Sequence, residues 1–170
     1  KLHGALPNQT AEELAFAVGI FATIQGMDPN MAVLALDNSQ QERAAKAVGL
    51  PLIREAYADR GYTPEGLLVP RTHPDAVIHD IDAVIERCLR LARHGEIVAI
   101  DGSIVRSAAR SICLHGDTPG AVDLAREVRD ALEGEGIGIA PAEPERDVPW
   151  DLRGGEGEIG TMPLNSKDPG

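Results

Sequence analysis

No apolar run in this chain approaches the ~20 residues that a membrane-crossing helix needs, and no signal-peptide pattern opens it. An initiator methionine is missing too, so Lys1-Leu2-His3-Gly4 reads as the inside of a domain rather than its beginning. Basic residues are scarce: 16 Lys and Arg stand against 27 Asp and Glu, for a formal net charge of −11. That balance argues against a nucleic-acid footprint, which needs clustered cations. Nine acids and three bases lie between Glu133 and Gly170, leaving 18 and 13 elsewhere, so the acidity belongs partly to the C-terminal end. The two cysteines, Cys88 and Cys113, lack metal-ligand spacing and sit in apolar patterns. They are expected to be reduced core thiols of a cytoplasmic protein. The chain has no P-loop pattern, and no Ser-His-Asp or His-rich metal constellation assembles from spacing.

What remains is an ordinary composition for a globular protein, 43% hydrophobic and 25% charged over 170 residues. That length suits one domain with a real core. Helical and strand periods alternate up to about residue 139. Thr10-Ala11-Glu12-Glu13 reads as a capping box opening a helix with Leu14, Val18, Phe21 and Ala22 on one face. Met31 to Leu36 is a continuous apolar run, as in a strand buried on both faces. Ser39-Gln40-Gln41-Glu42 is a second capping box, for a helix ending near Gly49. Leu50 to Tyr57 reads as a strand, and Asp80 caps a helix carrying Ile81, Val84, Ile85, Cys88, Leu89 and Ala92. Ile97 to Ile100 and Ser111 to Leu114 are further strands. Thr118-Pro119 predicts the start of a helix with Ala121, Leu124, Ala125, Val128 and Leu132 on one face, and Ile137 to Ile139 a last short strand. The alternation predicts a parallel α/β architecture over residues 1–140. Residues 141–170, rich in Gly, Pro and acids, read as a flexible tail or linker.

Parallel α/β folds place ligands beyond the carboxyl ends of their strands. Three polar clusters are candidates for such positions: Lys1 to His3, Asp59-Arg60-Gly61-Tyr62, and His115-Gly116-Asp117. They are expected to converge on one face. The third has the clearest chemistry, because a helix start offers free N–H groups to an anion while His115 and Asp117 can move or orient a proton. Plainer readings stay open: Asp117 or Thr118 as a simple helix cap, Asp59-Arg60 as a surface ion pair, Lys1 and His3 as a frayed end. His73, His79 and His94 read as solvated. Trp150 lies in the tail.

Read together, these segments resemble a known family. Lys1-Leu2-His3-Gly4-Ala5-Leu6-Pro7-Asn8 is similar to the Lys-Pro-His-Gly-Ala-Leu-Tyr-Asn segment of the LamB/YcsF family. Glu55-Ala56-Tyr57-Ala58-Asp59-Arg60-Gly61-Tyr62 resembles its Glu-Ala-Phe-Ala-Asp-Arg-x-Tyr segment. Gly66 to Arg71, Ala76 to Ile78, and Ile112 to Pro119 follow in matching order. Leu2 and Pro7 depart from the pattern, and the N-terminal third, with its Asp-Leu-Asn-x-Asp and His-containing motifs, is missing. The resemblance implies an incomplete seven-stranded (βα) barrel of the glycoside hydrolase/deacetylase type, lacking its N-terminal strands. It also implies the A component of an ATP-dependent 5-oxoprolinase, opening 5-oxo-L-proline to L-glutamate with ATP, Mg2+ and B and C subunits. Either the chain is a fragment, or the missing strands come from a second polypeptide or from self-association. By the same analogy Lys1, His3, His115 and Asp117 are the catalytic candidates, and Asp59, Arg60, Tyr62 and Arg71 bind substrate, with no metal ligand assigned. The alternatives are a non-catalytic partner-binding fragment and a metal-dependent carbohydrate deacetylase.

Overall fold

The computed structural model describes residues 1–116 and 120–146. The first helix, α1 (Leu6–Glu12), begins earlier than expected, because Pro7 presets the first-turn geometry. Thr10 is therefore not a cap. It lies buried inside α1, its hydroxyl donating to the Leu6 carbonyl at 2.6 Å and accepting from the Gln41 amide at 2.8 Å. The helix α2 (Leu14–Met27) follows after Glu13, whose extended backbone breaks the two apart. Of its expected apolar face only Phe21 is buried, together with Ala17, while Leu14 and Ala22 are exposed.

Strand β1 (Val33–Leu36), helix α3 (Gln40–Val48) and strand β2 (Leu52–Tyr57) follow the expected alternation of strand, helix and strand. Ser39 caps α3 by accepting from the Gln41 N–H, and Gly49 ends the helix at φ 73°. Glu42 reaches back to the Asn38 N–H at 3.0 Å, one residue beyond the usual capping-box partner. Asp80 caps α4 (Ile81–His94) through the Ala83 N–H, and Val84, Cys88 and Leu91 are its buried stripe. Here the chain departs from expectation. The run near Ile97 is not a parallel strand but half of an antiparallel hairpin, β3 (Glu96–Val98) with β4 (Ile104–Arg106). Asp101-Gly102 reverses the chain between them, with the Asp101 carboxylate accepting from the Ser103 N–H and hydroxyl.

Strand β5 (Ser111–Cys113) then joins the main sheet, whose order is β1-β2-β5, all parallel. Helix α5 (Ala121–Gly134) starts at a Gly120 cap; the expected Thr118-Pro119 start lies outside the described residues. The segment around Ile137 to Ile139 is irregular rather than a strand. The chain next runs back to β2. Glu145 exchanges two backbone hydrogen bonds with Leu52, at 2.7 and 2.8 Å, inside the segment expected to be a free tail. The remainder of that segment, 147–170, lies outside the described residues.

Three apolar clusters hold these layers. Ala17, Phe21, Ala44, Ala45 and Leu52 pack α2 and α3 on the sheet. Val84, Cys88, Val128 and Leu132 join α4 to α5 around Ala58. Leu36, Tyr57, Tyr62, Leu91, Ile97 and Val105 fill the space under the hairpin. At one edge Arg54 gathers three acids: Glu42 at 3.0 Å, Glu145 at 2.9 Å and Asp37 at 3.7 Å.

Burial opposes ionisation of Glu42, yet Lys46, the Asn38 N–H and Arg54 outweigh it and hold its carboxyl down to about 2. A depressed folded-state value means stability present above the ordinary 4.5 and lost as pH falls toward 2. Glu42→Gln is therefore expected to flatten the loss of stability between those pH values, measured by urea unfolding at stepped pH. Gly61 sets a second test. A Cβ there would land on the Asp75 carbonyl oxygen. Gly61→Ala should cost ~1–3 kcal/mol through forced backbone movement, read from thermal unfolding.

Candidate functional site

Side chains alternate along a strand, so Glu55, Tyr57 and Asp59 share one side of β2 and its extension, while Arg54 and Arg60 share the other. Strand β5 lies parallel with Ser111 opposite Glu55 and Cys113 opposite Tyr57. Continuing that register brings His115 beside Asp59. The two strands thus build one polar row at their carboxyl ends, and Lys1 folds onto it.

The Lys1 ammonium lies 2.5 Å from Glu55 Oε2, 3.1 Å from Cys113 Sγ and 4.9 Å from the centre of the Tyr57 ring. Burial opposes its charge, but the hydrogen bonds to Glu55 and Cys113 and the Glu55 charge prevail, so its pKa rises above the ordinary lysine value. Glu55 is only 4% exposed. Removing Lys1 would leave that carboxylate buried and uncompensated, which is why the pair is rigid. An ammonium has three N–H donors. Glu55, Cys113 and the Tyr57 hydroxyl surround it, so an incoming oxygen would share or displace one of these partners. Burial raises the Cys113 thiol, with Lys1 pulling the other way, so the thiol stays a neutral partner rather than a nucleophile. Tyr57 is likewise raised, by burial first.

His115 Nδ1 lies 2.9 Å from both oxygens of Asp59, and the His115 backbone N–H donates to the same carboxylate at 3.3 Å. A carboxylate accepts, so the proton belongs on Nδ1 and Nε2 is left as the acceptor of the ring. The imidazole stands 5.7 Å from the Tyr57 ring, tilted by 32°. Lys1, Tyr57 and His115 are therefore consecutive neighbours. Two hollows flank them: a groove of about 1230 Å³ between β5, α5 and residues 137–143, with His115 at its rim, and a pocket of about 130 Å³ against Tyr57.

The expected convergence is met by Lys1, Asp59 and His115. Arg60 faces the other way, as strand alternation requires, and does not pair with Asp59. Its buried guanidinium donates to the Ala76 carbonyl at 2.8 Å and the Val69 carbonyl at 2.7 Å. Burial, then the nearby Arg71 charge, lowers its pKa. Tyr62 is also turned inward: its hydroxyl accepts from the Tyr57 N–H at 2.7 Å, and Arg87 covers its ring at 5.6 Å. Burial raises the Tyr62 phenol above its usual value. Both residues build the loop behind the site instead of contacting a ligand. His3 and Arg71 are exposed and make no side-chain hydrogen bond or ion pair with the row, and Asp117 lies outside the described residues. Glu55, Tyr57 and Cys113 carry no role in the sequence reading. The signal for the first two is their spacing, since positions 55, 57 and 59 place a charge, a ring and a charge on one strand side. Among the described residues no three His, Cys, Asp or Glu side chains converge as a metal site.

Residues 1–147 match the model of the LamB/YcsF family. The chain belongs to that family. It is 50% identical over 141 residues to the A subunit of 5-oxoprolinase from Paracidovorax citrulli, covering 83% of this chain and 56% of that protein. To the protein of the same name from Streptomyces avermitilis it is 46% identical over 140 residues, 82% of this chain and 56% of the relative. A lactam utilization protein from Thermus thermophilus superposes with a TM-score of 0.71 at 34% identity, over 79% of this chain and 53% of that one. The LamB/YcsF chain thus spans a little over half the length of the relatives it matches.

The geometry of the pair makes one prediction. Replacing Asp59 by Asn presents an amide that can donate to Nδ1, so the imidazole proton should move to Nε2. Nitrogen-15 imidazole spectra of Asp59→Asn and of the unaltered chain read the tautomer directly; an unchanged Nδ1–H form would contradict the assignment.

Proposed function

We propose that this LamB/YcsF chain is part of the A component of an ATP-dependent 5-oxoprolinase, a cytoplasmic enzyme that opens 5-oxo-L-proline to L-glutamate with B and C subunits. The observation that carries the reading is the single row of Lys1, Tyr57, His115 and Asp59 at the carboxyl ends of two parallel strands. Ring opening of a lactam forms a bond from water oxygen to the carbonyl carbon, breaks the C–N bond and delivers a proton to nitrogen. His115 Nε2, oriented by Asp59, takes the proton from water and returns it to the leaving nitrogen. The Lys1 ammonium, exchanging one of its present partners for the substrate, stabilises the negative charge that grows on the former carbonyl oxygen. The names of the relatives support the substrate class, and the two free cysteines suit a reducing compartment.

Unpaired outer strands β1 and β5 suit an incomplete seven-stranded barrel, completed by a second polypeptide, another copy or the remaining length of the A component. The groove beside β5 carries Arg110, Arg126 and Arg129, cations suited to the phosphates of ATP, while no three acidic, His or Cys side chains cluster for Mg2+ among the described residues. The steps assigned to the row of Lys1 and His115 use neither group.

The test is glutamate release coupled to phosphate release. The 170-residue chain alone should give none, and the full-length A component with B and C should give it. In that complete set His115→Ala should lower turnover by about 100-fold or more, and Lys1→Ala should abolish it. Normal turnover with both substitutions would overturn the assignment.

A further inference from the structure

The pocket of about 130 Å³ lies one side chain from the reactive row. Its walls are Pro7 and Ala11 of α1, Leu36 of β1, Tyr57 of β2, and Leu67 and Leu68 of the following loop. These walls are apolar, and no cation lines them, so the pocket is unsuited to a carboxylate or a phosphate. The polar groups are Asn8 and Glu12, both on the exposed side of α1. Each offers an oxygen that can accept an N–H. The size is informative: an apolar cavity of about 150 Å³ holds benzene, a ring of six heavy atoms. A five-membered lactam has the same number of heavy atoms, counting its carbonyl oxygen.

Tyr57 is a wall of the pocket and also the ring under Lys1 and beside His115. A ligand seated against that ring is one side chain away from both groups, which touch the ring from outside the pocket. The loop is fixed from behind. Leu68 bridges to Tyr62, the Leu67 carbonyl accepts from the Thr63 N–H at 2.8 Å, and Gly66 turns at φ 86°. Leu67 and Leu68 pack against the buried cluster of Leu36, Tyr57 and Tyr62. The wall that Leu68 provides is set by the fold before any ligand arrives. Pro7, which stands where the resembled segment has tyrosine, leaves the α1 side of the pocket free of an aromatic ring.

We infer that this pocket is the ring subsite of the enzyme: it seats the methylenes of a small saturated lactam, and Leu68 limits the ring size. The inference rests on the proposed function, and deepens it. The ring N–H turns to Asn8 or Glu12, and a carboxylate on the ring stays at the mouth, since the interior has nothing to pair with it.

The experiment uses the full-length A component with B and C, and compares kcat/KM for 5-oxo-L-proline and for its six-membered homologue, 6-oxopiperidine-2-carboxylate. Leu68→Ala should shift the ratio toward the larger ring by about tenfold or more, the usual discrimination for one methylene in an apolar pocket. Leu68→Phe should raise KM for 5-oxo-L-proline and abolish the saturation-transfer NMR signal of 2-pyrrolidinone, a readout that needs no turnover. His115→Ala should depress both substrates alike and leave the ratio where it was. If both Leu68 variants kept the original ratio and 2-pyrrolidinone still bound to Leu68→Phe, the ring subsite would be wrong while the catalytic row stood. If His115→Ala turned over normally, the fault would lie in the proposed function instead.

Discussion

With β5 parallel to β2 and Cys113 set opposite Tyr57, every second residue of the two strands faces the same space. A slip of one residue in either strand would turn Asp59 and His115 to opposite sides and send Glu55 into the helical layer. The register is therefore the condition on which the polar row depends. It is held by contacts outside the row. Ala58 donates to the Cys113 carbonyl at 3.0 Å, and Arg110 to the Arg54 carbonyl at 2.9 Å. Asp37 fastens the loop before β5 to the end of β1 through the Ser107 hydroxyl and the Ala108 N–H.

Charge burial does the rest of the positioning. The Glu55 carboxylate is held out of water and keeps the Lys1 ammonium beside it, since separating them leaves a bare charge in a poor solvent. The Tyr57 ring adds a soft wall under the ammonium. Behind this face, Arg60 and Arg87 donate to main-chain carbonyls. They stiffen the 60–76 loop without offering charge to a ligand. Lys1 is thus the cation of the polar row, while Arg60 and Arg87 brace the scaffold.

Much of the fold was legible from local signals. Ser39 and Asp80 cap their helices as read, and Val33 to Leu36 and Leu52 to Tyr57 lie within the expected apolar runs. The Thr10 box misled because Pro7 starts a helix ahead of it and Gln41, far along the chain, claims its hydroxyl. The run at Ile97 misled because its apolar content fits either kind of sheet, and only the Asp101-Gly102 turn tells them apart. For the site, motif likeness found the right stretches but not the right sides. Arg60 and Tyr62 share a motif with Asp59, yet Arg60 alternates away and Tyr62 lies past the strand, folded under Tyr57. Cys113 looked like a core residue because its spacing is that of one; its contact with Lys1 spans 112 positions and leaves no local mark.

The bridge between Leu52 and Glu145 joins the C-terminal stretch to the beginning of β2, not to its end. Five residue steps of extended strand, roughly 17 Å, separate that point from the level of Tyr57. Glu145 thus lies at the floor of the sheet, and the row of Lys1, Tyr57, His115 and Asp59 lies toward the opposite rim. A pull on Arg146 would meet its hydrogen bond to Asn30, the two backbone hydrogen bonds of Glu145 and the Arg54–Glu145 pair before it reached β2.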